Sequence, residues 1–283
     1  MKTLTKVLAA GVLTFGLVGC GSSKTEEANV PSEAGGKLVV MASVNPHADI
    51  LEAAKPILKD KYDIDLEIRT TDDYYIPNEA VSNGDADANY FQHVPFFDQA
   101  KADNGYKISN VGGIHIEPFG IYAQDIKDVE NVPDGAEVII SNSVADNGRI
   151  LSILAQEDLI KLPEDADVLT LTIADIDDKE HNPKGLKFKE VKPELLAKAF
   201  EEGEGDLVAI NGNYAIQAGL KPSEDALILE EADESNPYVN IVACREGHEE
   251  DPNIEALVEV LKSDDIKDFI EDKWSDGSVI PAE

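Results

Sequence analysis

Apolar residues in this chain come in two rhythms, and the two alternate. The continuous short run at 38–42 reads as a strand covered on both faces, as in a parallel sheet flanked by helices, and 136–140 and 207–210 read as strands as well. Leu66-Glu67-Ile68, the stretch 107–111 and the neighbourhood of Phe188 read as further strands. Between them, Ile50, Leu51, Ala54, Ile57 and Leu58 recur at the spacing of one helix face. Helices are also predicted over 77–81 and 94–104, from Asp146 onward, over 194–202, and around 254–261 and 266–273. Such alternation predicts βαβ units and an α/β fold.

Two extended segments interrupt it. Residues 114–123 carry Pro118 and Gly120 inside an apolar run, and 237–244 is a second such run. Read as crossings, they divide the chain into two α/β lobes, 37–118 with 240–283 and 119–239, the second inserted into the first. A cleft between two lobes is a favoured ligand site, and hinge closure over a ligand is the expected motion.

The most informative stretch is 85–97. A short buried strand runs into a turn, and a helix follows, opened by Pro95. Proline suits a first helical turn because its missing N–H would lack a partner there. Turns of this kind lie at the carboxyl ends of parallel strands, where open α/β folds bind ligands. This one delivers Phe91, His93 and Phe96 together, without a nucleophile or a metal cage. It predicts recognition of a small molecule with an apolar part; the plainer alternative is core packing.

The N-terminus reads as an address. Lys2 and Lys6 precede an apolar run at 7–18, too short to span a membrane. The run ends in Leu17-Val18-Gly19-Cys20, which resembles a bacterial lipobox. That resemblance implies cleavage after residue 19, acyl chains on Cys20, and attachment to the extracytoplasmic face of the cell membrane. An ordinary secretion signal with an incidental cysteine is the alternative. Residues 21–36 are rich in Ser, Glu and Gly, a composition that cannot form a core, so 20–36 reads as a tether.

Charge and composition narrow the partners. With 57 acidic and 24 basic residues the formal charge is −33, which argues against nucleic acid and anionic membrane surfaces. Membrane contact is therefore expected through the lipid only. Cys244, one of two cysteines, lies in the apolar run at 239–244 and reads as a small buried hydrophobe. The five histidines are dispersed at 47, 93, 115, 181 and 248, none spaced as metal ligands are, so no metal is expected. No nucleophile elbow is present, and neither catalysis nor a cofactor is expected.

The chain also resembles the methionine-binding lipoprotein family, the substrate-binding components of ABC importers. The matching stretches are Asp73-Tyr74-Tyr75-Ile76-Pro77-Asn78-Glu79-Ala80, the run from Asp87 to Phe96, Asn182-Pro183-Lys184-Gly185-Leu186, Tyr214-Ala215 with Ala218-Gly219-Leu220, and Ser235-Asn236-Pro237-Tyr238-Val239-Asn240. The resemblance implies a two-lobe periplasmic-binding-protein fold of type II character. It implies methionine or a close relative in the cleft, and a permease and ATPase complex as partner. Another amino acid, a methionyl dipeptide or, more remotely, a metal stand as alternatives. Carried over position by position, the binding residues are Tyr74, Phe91, His93, Phe96, Arg149, Asn211 and Asn240. The family usually has Tyr at the position of Phe96. Before Arg149 its run Asn-Asp-Pro-Thr-Asn is replaced by Asn142-Ser143-Val144-Ala145-Asp146.

These residue types suit an amino acid. A planar guanidinium matches a carboxylate, an Asn carbonyl accepts from an ammonium, and a thioether packs well against aromatic edges. Asn240 sits inside an apolar run, and a buried amide needs partners. Asn211 precedes Gly212, so a simple turn is its alternative. Ser143-x-x-Asp146 has the capping-box pattern, which predicts a helix starting after Ser143, with Ile150, Ile153 and Leu154 as its buried face. Arg149 then lies about 100° away from Ile150, facing the cleft. It is expected to grip a ligand carboxylate, with Asp146 holding it or meeting the ammonium. The alternative is an Asp146–Arg149 pair along the helix.

Overall fold

A computed structural model describes residues 33–232 and 236–282. The leader, Cys20 and most of the tether lie outside the described residues. Two sheets organise the rest.

The first contains β1 (Gly36–Ala42), β2 (Ile64–Thr70), β3 (Ala88–His93), β4 (Ile108–Ile116), β10 (Val239–Arg245) and β11 (Ile280–Pro281) in the order β11-β4-β10-β3-β1-β2. The second contains β5 (Gly120–Tyr122), β6 (Glu137–Ser141), β7 (Lys187–Val191), β8 (Leu207–Ile210) and β9 (Ile228–Leu229) in the order β7-β6-β8-β5-β9. In each, three strands are parallel, as the βαβ reading requires: β1 with β2 and β3, and β6 with β7 and β8. In each, a strand reached by a crossing enters antiparallel: β10 between β3 and β4, and β5 beside β8. The chain passes from one sheet to the other between Ile116 and Gly120 and returns between Leu229 and Val239. The extended segment 237–244, expected as a crossing, is mostly β10 at the heart of the first sheet.

Helices cover both sheets. α1 (Asp49–Tyr62), α2 (Ile76–Asn83), α3 (Val94–Asn104), α8 (Pro252–Leu261) and α9 (Asp264–Lys273) serve the first, and α4 (Val144–Gln156) and α5 (Leu196–Glu201) the second. The short α6 (Gly212–Gln217) follows β8 and packs against the turn before α1, so it bridges the two sheets; α7 (Pro222–Asp225) follows it. The periodic face of α1 is buried with β1 in one core, and Ile150, Ile153 and Leu154 of α4 are buried with β6 and β8 in another. Burial of such side chains stabilises by about 1.5–3 kcal/mol each.

Glycine fixes how α4 seats. A Cβ on Gly148 would lie 1.7 Å from the Val168 carbonyl oxygen, so no larger residue lets the 165–171 loop pack against this helix. The site's arginine is the next residue.

Candidate ligand-binding site

A narrow cavity lies between the two sheets, the kind of place where small-molecule sites form. All seven residues carried over from the sequence line it: Tyr74, Phe91, His93, Phe96, Arg149, Asn211 and Asn240.

One wall is aromatic. β3 ends at His93, whose ring caps α3: its Nδ1 accepts from the Phe96 N–H at 3.2 Å. That cap turns Phe96 back against Phe91, edge to face with ring centroids 5.9 Å apart. Tyr74 completes the wall at 5.6 Å from Phe96 and 6.0 Å from Phe91. Its hydroxyl donates across the cleft to Asn213 Oδ1 at 2.6 Å. Behind the wall, Asn78, Asn89 and Gln92 form a closed amide network: Asn78 and Gln92 exchange two bonds of 2.7 Å, and Gln92 Nε2 also donates to Asn89 Oδ1 at 3.0 Å. All three amides are buried, and the network ties β3 to α2.

The facing wall is polar. Arg149 is 4% exposed, and its charge is answered by a residue the sequence reading did not select. Nε donates to Glu230 Oε1 at 2.9 Å and Nη2 to Glu230 Oε2 at 2.5 Å, while Nη2 also reaches the Glu117 carbonyl at 2.8 Å. Burial pulls the guanidinium pKa down and the Glu230 carboxylate beside it more than offsets this, so it stays protonated. The Tyr238 ring lies 4.2 Å from the guanidinium carbon. Among the described residues no hydrogen bond engages Nη1. The alternative Asp146–Arg149 pair along the helix does not form, and Asp146 does not hold the arginine by a hydrogen bond.

Asp146 is committed elsewhere. α4 does begin after Ser143, yet Ser143 makes no side-chain cap bond. The Asp146 carboxylate, 1% exposed, instead accepts from His93 Nε2 at 3.0 Å and from Asn211 Nδ2 at 3.2 Å. The capping box loses because two donors from other elements compete for the same oxygens. Burial raises the Asp146 pKa, but the His93 and Asn211 bonds and the Arg149 charge bring it below the usual carboxylate range.

Glu117, unlike Asp146, lines the cavity, and burial pushes its pKa up against the pull of His47 and Arg149. It stands over the start of α6, where a Cβ on Gly212 would come 2.7 Å from its Cβ. Its oxygen accepts from His115 Nε2 at 2.8 Å and lies 3.6 Å from His47 Nε2. The dispersed histidines thus converge: ligand atoms of His47, His115 and Glu117 lie within 4.8 Å of one another. Every ring nitrogen is already engaged. His47 pairs with Ser43 Oγ at 2.6 Å and Asn240 Oδ1 at 3.1 Å, and His115 with Glu117 and the Tyr90 hydroxyl. Burial pushes the His47 pKa down to about 4 and that of His115 to about 3. The cluster therefore serves as neutral donors that fix Glu117 and Asn240. Register places Asn240 opposite both His93 and His115, with a register shift right after it in the β4 pairing and one residue further on in the β3 pairing; bulges re-aim side chains.

Three buried polar atoms here have no partner among the described residues: Asn211 Oδ1, Asn213 Nδ2 and the Tyr238 hydroxyl. Sequence reasoning missed Glu117, Glu230, Asn213 and Tyr238. Glu117 had a signal, a single carboxylate inside the apolar run 114–123. Glu230 had none, since it opens an acidic run.

Two sheets joined by two crossings, with a lined cavity between them, define a two-lobe substrate-binding protein. The profile of the NlpA lipoprotein family matches residues 38–283, and the chain belongs to that family. It is 45% identical over 278 residues to the methionine-binding lipoprotein MetQ of Bacillus subtilis, covering 97% of both chains. Among solved structures, a nutrient binding protein from Burkholderia cenocepacia bound to methionine is 31% identical, with a TM-score of 0.80 over 87% of this chain and 100% of that one. A periplasmic substrate-binding protein of an ABC transporter from Coxiella burnetii is 35% identical, with a TM-score of 0.80 over 87% and 100% of the two chains.

Proposed function

We propose that this protein binds methionine, or an amino acid close to it, and delivers it to an ABC permease and its ATPase; it is a binding protein and not an enzyme. The observation that carries the reading is the division of one cavity into an aromatic wall and a polar wall. Tyr74, Phe91 and Phe96 would take the thioether chain, where sulfur–ring contacts contribute about 0.3–1.5 kcal/mol each. Arg149 would bind the carboxylate through Nη1, with Asn240 and Asn213 amide groups beside it. Asn211 and Glu117 would take the ammonium, and His93 would orient the group behind it. The names of the relatives, and the methionine in the Burkholderia neighbour, support the choice of ligand.

Residues 1–19 act in this reading as a cleaved leader, and 20–36 as a tether lipidated on Cys20 that holds the protein at the extracytoplasmic membrane face. Residues 37–118 with 240–283 and residues 119–239 are the two lobes that close on the ligand. The test is mass spectrometry of the small molecule released when the purified protein is denatured, followed by titration calorimetry with that molecule. Release of methionine or a methionyl compound supports the reading; release of an unrelated molecule, or no heat with methionine, removes it. Cys20→Ala should leave the precursor unprocessed or free of the membrane, and a mature-size variant that stays attached would refute the anchor.

A further inference from the structure

Asp146 bears on ligand choice without lining the cavity. A carboxylate only accepts hydrogen bonds. The Asn211 group facing Asp146 Oδ2 at 3.2 Å must therefore be the NH2. This settles the orientation of an amide that could otherwise flip. Asn211 Oδ1 then points the other way, on a residue that lines the cavity, buried and without a partner. The turn alternative does not account for it, because Asn211 begins α6 without making a side-chain cap bond. The other oxygen of Asp146 is fixed as well. His93 Nδ1 is occupied by the Phe96 N–H, so the ring proton sits on Nε2, which donates to Asp146 Oδ1 at 3.0 Å. Both oxygens are held from two directions, and the acid cannot turn to release Asn211.

We propose that Asp146 is a positioning residue for specificity: by holding the Asn211 amide in one orientation it gives the cavity a fixed acceptor, so that the ligand must carry a free ammonium. An amino acid with a primary amine satisfies Asn211 Oδ1. An N-acylated amino acid faces it with a bulkier group and fewer donors. A neutral amide at position 146 can donate as well as accept. It would allow Asn211 to turn over and present its NH2 to an acyl carbonyl. This inference rests on the reading of the cavity as an amino-acid site.

The test is titration calorimetry on the full-length protein in detergent, with methionine of the tighter-binding hand and its N-acetyl derivative as probes. The wild type should favour methionine by about 100-fold, the scale of one buried polar atom left unsatisfied. Asp146→Asn should narrow that ratio by about tenfold or more. A general loosening of the site would weaken both probes alike and leave the ratio where it was. If Asp146→Asn does not fold, Asp146→Ser decides: it too frees the Asn211 amide to turn and should narrow the ratio by about tenfold. A wild type that binds methionine, with an unchanged ratio in the folded variant, overturns the inference alone. A wild type that gives no heat with methionine overturns the functional reading, and the inference with it.

Discussion

The aromatic wall of the cavity comes from one stretch of chain, 74–96, whereas the polar wall gathers Glu117, Arg149, Asn211, Glu230 and Asn240 from across both sheets. The aromatic wall is cohesive by contact: three rings at 5.6–6.0 Å, backed by an amide network that needs nothing from the other lobe. The polar wall is cohesive by pairing. Each charged group there is held by a partner on another element, and removal of one strands the other in a desolvated place. Area on one side is forgiving, and charge on the other is not.

Arg149→Ala should cut deepest into that contrast. It leaves Glu230, about 10% exposed, facing no cation, and breaking a buried pair costs about 3–5 kcal/mol. Denaturant unfolding should show this loss even without ligand, and calorimetry should show binding lost as well. An Arg149→Ala protein as stable as the wild type would mean that the polar wall is not held by pairing.

Acid should reach the polar wall next. In the unfolded chain His47 and His115 titrate near 6.5, whereas burial holds them at about 4 and about 3 in the fold. The unfolded state then binds protons first as pH falls. The stability from keeping them neutral is complete above pH 6.5 and is lost as pH drops through 6.5 toward 4 and then 3. Asp146, depressed by its donors, acts in the same direction at lower pH, while Glu117, raised by burial, opposes it. Melting temperature should fall steeply over this range, and His47→Gln should flatten the fall; equal slopes in the two proteins would reject the assignment.

Phe91→Ala tests the forgiving side. It should weaken ligand binding by about 1.5–3 kcal/mol, the worth of one buried ring, without altering the acid response. Titration as tight as the wild type would assign Phe91 to the core. Tyr74→Phe should do least. It keeps the ring and removes the bond to Asn213 that ties the walls together, at about 0.5–1.5 kcal/mol; no change in affinity or melting temperature would show that this bond contributes nothing to closure.

The same contrast decides what the sequence could tell. Strands β1, β6 and β8, helix α1 and the turn that builds the aromatic wall were legible, because each is written in neighbouring residues with its own period. Arg149 was legible as a residue that faces away from the buried side of α4. Its partner was not, since Glu230 is one acid among many in its run. Ser143 and Asp146 matched a local capping pattern, but His93 and Asn211 arrive from other elements and take the carboxylate. The histidines looked scattered because spacing along a chain does not report what β4 and the turn before α1 bring together. Local periodicity encodes surfaces, and the tertiary fold encodes pairs.

The two crossings between the sheets carry one more consequence. Glu117 lies in the first, and Glu230 opens the second; both hold Arg149. One guanidinium is thus riveted to both segments of chain that join the sheets. A change that draws it out of place would loosen the joint of the molecule as well as the lining of its cavity.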